Sequence, residues 1–500
     1  MSIILALDLG TSAVKCAVMN EQAQILQITA VTYPSATPAA GWIQQNPEDW
    51  IKAAVEAIES CLNRLGRPGI DIISLSGHMS GLVLVDEAGN PVHPCITLAD
   101  SRSSQQVERI KEQAQNEIYQ STGNPVINAF LLPKLLWVKE NCPTAYRRAQ
   151  HVLFPKDYLR WKLTGKFATD RTDAGNSLFF DFRKGGWNEA LLTELGLSSK
   201  LLPEILQPYQ CAGWVTGAAS RLFGLQAGIP VAAGAADMAA LAVGYGLNEP
   251  GDVGVTIGTS ATILTVVPEI NPIGRDQLTF HPHATAGKTY ALGSHFSGGM
   301  SLNWFAGLFS GDPSRADYAL IQTLSQEAAA IPPGSEGLLY LPFLAGSGTP
   351  YFEAEARGSF LGLSTNTKRE TMFHAVLEGI AYNLKESLLL FQKMGIGIRT
   401  IRAGGGGMNV GIWPAILSDV FGDPLSVVKI ADASAIGAAL IGGFGAGIFS
   451  DLDAPARQIT AAQATVTPNE AAFPIYQRYF ELYQKSYQNL KEICRGLRFP

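Results

Sequence analysis

Ile3-Ile4-Leu5-Ala6-Leu7-Asp8-Leu9-Gly10-Thr11-Ser12-Ala13, near the start of the chain, and Val253-Gly254-Val255-Thr256-Ile257-Gly258-Thr259-Ser260-Ala261, near its middle, are the two stretches whose reading decides the fold. Each is an apolar, strand-forming run that ends on Gly-Thr-Ser-Ala, with β-branched and apolar residues continuing beyond. Each therefore reads as strand, tight glycine turn, strand. The copies stand 248 residues apart in a chain of 500, the offset a duplicated two-domain architecture would give. Gly246-Leu247-Asn248-Glu249-Pro250-Gly251 breaks the periodicity just before the second copy and puts the boundary near residues 245–255, with domains of 1–247 and 248–500.

Between these points strands alternate with helices, the pattern of α/β domains. One helix begins at Asn46-Pro47-Glu48-Asp49, with Asn as cap, Pro at the first position and acids in the first turn. Its apolar stripe is Ile51, Ala54, Val55, Ile58 and Leu62. A strand over 70–75 leads into Ser76-Gly77-His78-Met79-Ser80-Gly81, a strand-end loop able to face a ligand.

Composition narrows the classes of function. The chain is 47% hydrophobic and 16% charged, with a net charge of −6 and no Lys/Arg block, so the electrostatic footprint of a nucleic-acid binder is missing. The six cysteines form no CxxC pair, which argues against a zinc site or disulfide framework and for reduced thiols in a cytosol. Residues 1–8 lack a signal-peptide pattern, and the apolar tract over 435–449 is too short to span a bilayer and reads as a buried core helix. The expected partner is a small molecule, with no nucleic acid and no membrane.

Three features carry chemistry. In Asp8-Leu9-Gly10-Thr11-Ser12, with Lys15 just beyond, the glycine lets the backbone approach a phosphate, hydroxyls and N–H groups donate to it, and the acid can hold Mg²⁺ directly or through water. Gly258-Thr259-Ser260 repeats the device. Gly404-Gly405-Gly406-Gly407 lies between a strand and a helix expected to start at Asn409 and to be capped at Gly422; its bare backbone suits a flat ring or a phosphate. Asp237, among Ala233-Gly234-Ala235-Ala236 and Met238-Ala239-Ala240, is either an N-cap or a general base. Ala286-Gly287-Lys288-Thr289 ends like a phosphate loop, but Pro282 stands where the first glycine belongs, so it reads as a hairpin turn. His281 and His283 read as a turn and not as a metal site.

Together these residues resemble the FGGY family of carbohydrate kinases, nearest its xylulokinase-like branch, nearly end to end. Further landmarks are Pro133-Lys134-Leu135-Leu136-Trp137-Val138, Pro155-Lys156-Asp157-Tyr158-Leu159, Gly165-Lys166-Phe167-Ala168-Thr169-Asp170 and Leu377-Glu378-Gly379. The resemblance implies an α/β fold of two actin-like (ribonuclease H-like) ATPase domains with a central cleft, a cytoplasmic enzyme, and by analogy a homodimer. It implies transfer of the γ-phosphate of Mg-ATP to a hydroxyl of a small sugar or polyol, foremost a ketopentose such as D-xylulose. By position, Asp8 would serve Mg²⁺, and Gly10, Thr11, Ser12, Lys15, Gly258 and Thr259 the phosphates. Gly405, Gly406 and Asn409 would hold the adenosine, His78, Met79, Ser80, Asp100, Arg102 and Asp237 the sugar, with Asp237 as base.

The chain departs from the xylulokinase pattern at Ser80, where a histidine is usual, at Leu98, where a tryptophan is usual, and at Ser347-Gly348, in place of Glu-Arg. These changes make the expected pocket less polar and roomier and leave the sugar open between xylulose, ribulose, gluconate, glycerol and other polyols. His78 is open between substrate contact and a structural role. Two readings of another class stay beside the kinase: a nucleotide-binding protein that signals or chaperones through ATP closure, and a sugar sensor without turnover.

Overall fold

The computed structural model describes residues 2–310, 318–430, 432–461 and 464–497. The chain begins with β1 (Ile3–Leu9), β2 (Ala13–Asn20), β3 (Ile25–Thr32), α1 (Pro47–Arg64), β4 (Ile72–Gly77) and, farther on, α2 (Pro155–Thr164). Then come β5 (Cys211–Trp214), β6 (Pro230–Ala232), β7 (Ala235–Ala236) and α3 (Asp237–Gly244). The second half brings β8 (Asp252–Ile257), β9 (Ala261–Val267), β10 (Thr279–Pro282), β11 (Thr289–His295), α4 (Gly299–Ser310) and α5 (Arg369–Lys393). It continues through β12 (Thr400–Gly404), α6 (Trp413–Phe421), β13 (Leu425–Val427), α7 (Ala433–Gly445) and β14 (Ala464–Val466).

Both Gly-Thr-Ser-Ala copies form the hairpins read from the sequence. β1 and β2 pair antiparallel, with the Gly10 N–H donating to the Ala13 carbonyl at 3.0 Å; β8 and β9 do the same, with Gly258 donating to Ser260 at 2.9 Å. Around each hairpin the sheet grows alike: β1 pairs in parallel with β4, and β8 with β12. The first sheet runs β5-β6-β4-β1-β2-β3, with β7 also on β4, and the second β10-β11-β9-β8-β12-β13-β14. The fold is thus a two-domain α/β arrangement with mixed sheets.

Two compact units divide the chain. The first holds Met1–Asn248, Phe280–Tyr290 and Ala431–Ala462, the second Glu249–Thr279, Ala291–Ile430 and Gln463–Pro500. A single cut between 247 and 248 therefore differs from the observed division, because two segments of the second half return to the first unit. The cause of one return is packing: α7 is buried almost throughout and lies on α3, β4 and β1. Its fit needs glycine, since a Cβ on Gly437 would stand 1.7 Å from the Ala240 carbonyl oxygen. The buried helix expected in this tract is α7, ended at Gly445.

Other local readings hold. The Asn46 side chain accepts from the Glu48 N–H at 3.2 Å and caps α1, a bond of about 1 kcal/mol. Residues 283–288 form a turn, closed by His283 N–H to the Lys288 carbonyl at 3.0 Å, as expected of the false phosphate loop. One reading differs: His281, expected in a turn, lies in β10 with Nδ1 2.7 Å from the Asn176 side chain. Among the described residues no helix is long and apolar enough to cross a membrane.

Gly437→Ala is expected to lower unfolding free energy by about 1–3 kcal/mol by pushing α7 from α3, read by urea denaturation. Gly186→Ala, where a Cβ meets nothing within 4 Å, should change it by less than about 0.5 kcal/mol. Equal effects would contradict the close-packing account.

Candidate active site

Antiparallel register places Lys15 directly opposite Asp8 across the first hairpin. Asp8 is 3% exposed, and its Oδ2 stands 3.8 Å from Lys15 Nζ while its Oδ1 accepts from Ser76 Oγ at 2.6 Å. Ser76 is on β4, the parallel neighbour of β1, so the strand pairing brings the two side chains together. Lys15 is also paired with Asp432, whose Oδ1 caps α7 by accepting from the Ala435 N–H at 2.8 Å. Burial, and then the charge of Asp432, push the Asp8 carboxyl up to about 7, against the opposing pull of Lys15 and Ser76.

Asp237 is the first residue of α3 and not its cap, which is Ala236. Its Oδ1 accepts from the Met238 N–H at 2.8 Å, and its carboxylate also accepts from the Met79 backbone. Loss of solvent pushes it up to about 6 although those two bonds oppose the rise. Ser434 Oγ donates to the Asp237 carbonyl at 3.1 Å, tying the start of α7 to the start of α3.

The loop after β4 is buried at His78, Met79 and Ser80. His78 packs edge-on against Trp50, and burial, with the nearby Lys134 charge, holds its pKa down at about 3, so the ring is neutral. Ser80 adopts φ 64°, and its carbonyl accepts from the buried Lys134 Nζ at 2.8 Å. Asp100 and Arg102, expected at the sugar, are engaged with each other: Arg102 Nη2 meets Asp100 Oδ2 at 2.8 Å, with the two side chains 1% and 0% exposed. The guanidinium carbon lies 4.2 Å from the Trp42 ring centre, and Asp100 Oδ2 accepts from the Ile43 N–H at 2.6 Å. This pair braces the 41–44 segment.

Thr11 and Ser12 are exposed at the first hairpin turn, and Gly258, Thr259 and Ser260 at the second. In the second unit the N-terminal turn of α4 donates to the loop, Gly299 N–H to the Gly258 carbonyl at 2.8 Å and Met300 N–H to the Thr259 carbonyl at 2.9 Å. After β12, Gly405 and Gly406 are exposed, followed by a short 3-10 turn over Gly406–Asn409. The helix expected from Asn409 starts at Trp413 instead. Pro414 explains the shift: proline has no N–H for an interior helix bond and is tolerated only in the first turn. Gly422, at φ 79°, ends the helix as expected.

Asp432 was legible only as a cap, an acid three residues before an apolar helical run; nothing local tied it to Lys15. Ser76, expected to open the 76–81 loop facing a ligand, lies within β4 and holds Asp8, a pairing that nothing local signals.

The model of the FGGY family of carbohydrate kinases matches with its N-terminal domain over residues 3–244 and with its C-terminal domain over residues 253–446. The chain belongs to this family. The kinase is 32% identical to a xylulose kinase of Bacillus subtilis (strain 168) over 500 residues, covering 100% of this chain and 99% of that one. A solved xylulose kinase from Brucella ovis, 31% identical, superposes with a TM-score of 0.88 over 98% of this chain and 100% of the other. A gluconate kinase from Lactobacillus acidophilus, 26% identical, superposes with a TM-score of 0.90 over 98% of each chain. The kinase is accordingly an ATP-dependent sugar kinase.

Asp432→Ala is expected to cost about 1 kcal/mol of stability through the lost cap. Asp432→Ser, which keeps a capping oxygen, should stay within a few tenths of wild type in the same denaturation series. Equal losses would show that the ion pair with Lys15, and not the cap, carries the stability.

Proposed function

We propose that this kinase transfers the γ-phosphate of Mg-ATP to a hydroxyl of D-xylulose or a closely related ketopentose, with Asp237 as the general base. One observation carries the reading: a carboxylate fixed by two backbone N–H groups and poised at about 6, with the charges of Asp432 and Lys15 acting on it. Such a base is ionised at neutral pH yet basic enough to take the hydroxyl proton as the phosphoryl group arrives. The choice of xylulose rests on the similarity to xylulose kinases over the full chain.

His78, Met79 and Ser80 are assigned to the sugar because the Met79 backbone already touches the base. A neutral His78 can offer a donor or an acceptor to a hydroxyl without charging the site. Asp100 and Arg102 shape the pocket wall as a closed ion pair. Asp8 and Asp432 present oxygen-only ligands offset by one ammonium, a donor set that fits a hard divalent ion. Asp8 would hold Mg²⁺, directly or through water, and the bound ion would neutralise phosphate charge. Lys15, Gly10, Thr11, Ser12, Gly258 and Thr259 are assigned to the phosphates, and Gly405, Gly406 and Asn409 to the adenosine. Six free cysteines support a cytoplasmic setting.

Asp237→Asn is expected to lower kcat by about 10²-fold or more while isothermal titration still detects ATP binding. Because the base works only when deprotonated, wild-type kcat/KM should fall as pH drops through about 6. Near-normal turnover in the variant would remove Asp237 from the chemistry. Gly405 sits at φ 88°, and a Cβ there would lie 2.6 Å from the Ile257 carbonyl oxygen. The strain in Gly405→Ala, roughly 1–2 kcal/mol, should appear as a loss of unfolding free energy of that size in urea denaturation.

A further inference from the structure

Lys156, Asp157, Arg160, Asp170 and Asp173 are each 0% exposed. Lys156 Nζ contacts Asp157 and Asp170 at 2.6 Å and Asp173 at 3.0 Å, and Arg160 Nη1 meets Asp157 at 2.9 Å. The three carboxylates lie close enough to share a cation, but the Lys156 ammonium already occupies that place. Burying ions costs several kcal/mol each, and apolar side chains of equal volume often stabilise as well or better. Stability alone therefore does not account for this network.

Besides bonds to its own neighbourhood, from Arg160 Nη2 to the Ala168 carbonyl and from the Phe154 N–H to Asp157 Oδ2, the network reaches one further segment. Arg160 Nη1 donates to the Ala233 carbonyl at 2.7 Å. Asp170 Oδ1 accepts from the Thr172 N–H at 2.7 Å and from its hydroxyl, and Thr172 Oγ1 in turn accepts from the Ala236 N–H at 2.8 Å. Ala233 lies just before β7 and Ala236 is its last residue, and Asp237 follows directly. On its strand edge β7 pairs with Ser76 and Gly77 of β4, and Ser76 holds Asp8. The network thus grips the short backbone run from which the base projects.

We propose that this buried charge network is a positioning device for the base: Lys156 and Arg160, acting through Asp157, Asp170 and Thr172, fix the 233–236 backbone and so set where the Asp237 carboxylate stands. The proposal rests on the reading of Asp237 as the base. Thr172→Val keeps the side-chain shape but removes the hydroxyl that links Asp170 to Ala236, and Thr172→Ser restores the hydroxyl.

In steady-state assays with Mg-ATP and the active sugar, Thr172→Val should lose about tenfold or more in kcat, since a small misplacement of a reacting group is costly. Its sugar KM and ATP Kd should stay within about twofold, and Thr172→Ser should recover kcat to within about threefold of wild type. Unchanged kcat in Thr172→Val, or equal losses in both variants that track their melting temperatures, would overturn the proposal. If Thr172→Val fails to fold, Arg160→Lys is read by the same split, because it keeps the charge beside Asp157 and gives up the reach to Ala233. Asp237→Asn in the same assay separates the two ideas. High activity there removes the base itself, whereas its loss beside an unaffected Thr172→Val removes only the positioning role.

Discussion

A carboxylate taken out of water must find a partner or a proton, and the first unit is arranged around that constraint. Asp8, Asp237 and Asp432 stand on three elements distant in sequence, and Lys15 is the ammonium that answers them. Neither Asp8 nor Asp237 is fully compensated, which is why both are pushed above the ordinary carboxylate range. An uncompensated acid is a cost in a resting fold and an asset in a site that must receive a cation or a proton. The packing of α7 on α3 serves this end, because each helix begins on one of these acids or directly after it.

The second unit meets a different demand. Its exposed loops, Gly258 to Ser260 and Gly405 to Gly406, offer backbone more than side chains, and each is anchored from behind. The α4 N-terminus donates into the first, and behind the second a Cβ on Gly407 would stand only 2.7 Å from the Trp413 ring. Loops of bare backbone on rigid supports suit a nucleotide, whose phosphates and ring are recognised by N–H groups and flat contact. The two sheets repeat one pattern, hairpin then parallel neighbour.

Much of this was legible in the sequence because it is local. The Asp8 strand, the Gly-Thr-Ser turns, the Asn46 cap, the Gly422 stop and the buried tract over 435–449 all depend on neighbours within a few residues. What was illegible depends on distance. Asp432 has an ordinary cap signature, and only the return of α7 to the first unit sets it on Lys15. Asp100 and Arg102 were expected at the sugar only through the family resemblance, and their bonds to each other and to the 43–44 segment emerge only from the fold. Lys156, Asp157 and Asp170 were visible as a pattern, while their charge network needs the three-dimensional meeting of α2 with residues 168–173. The helix misplaced at Asn409 shows the opposite case, a local rule about Pro414 that outweighs the pull of a glycine loop.

The measurement that tests the central claim most directly is sugar-dependent ADP release from Mg-ATP, with D-xylulose, D-ribulose, L-ribulose, gluconate and glycerol compared at equal concentration and the product identified by phosphorus NMR. The highest kcat/KM is expected with D-xylulose or another ketopentose, with one new sugar phosphate per ADP. Preference for gluconate or glycerol would contradict the sugar assignment, and ATP binding without release on any sugar would contradict the transfer itself.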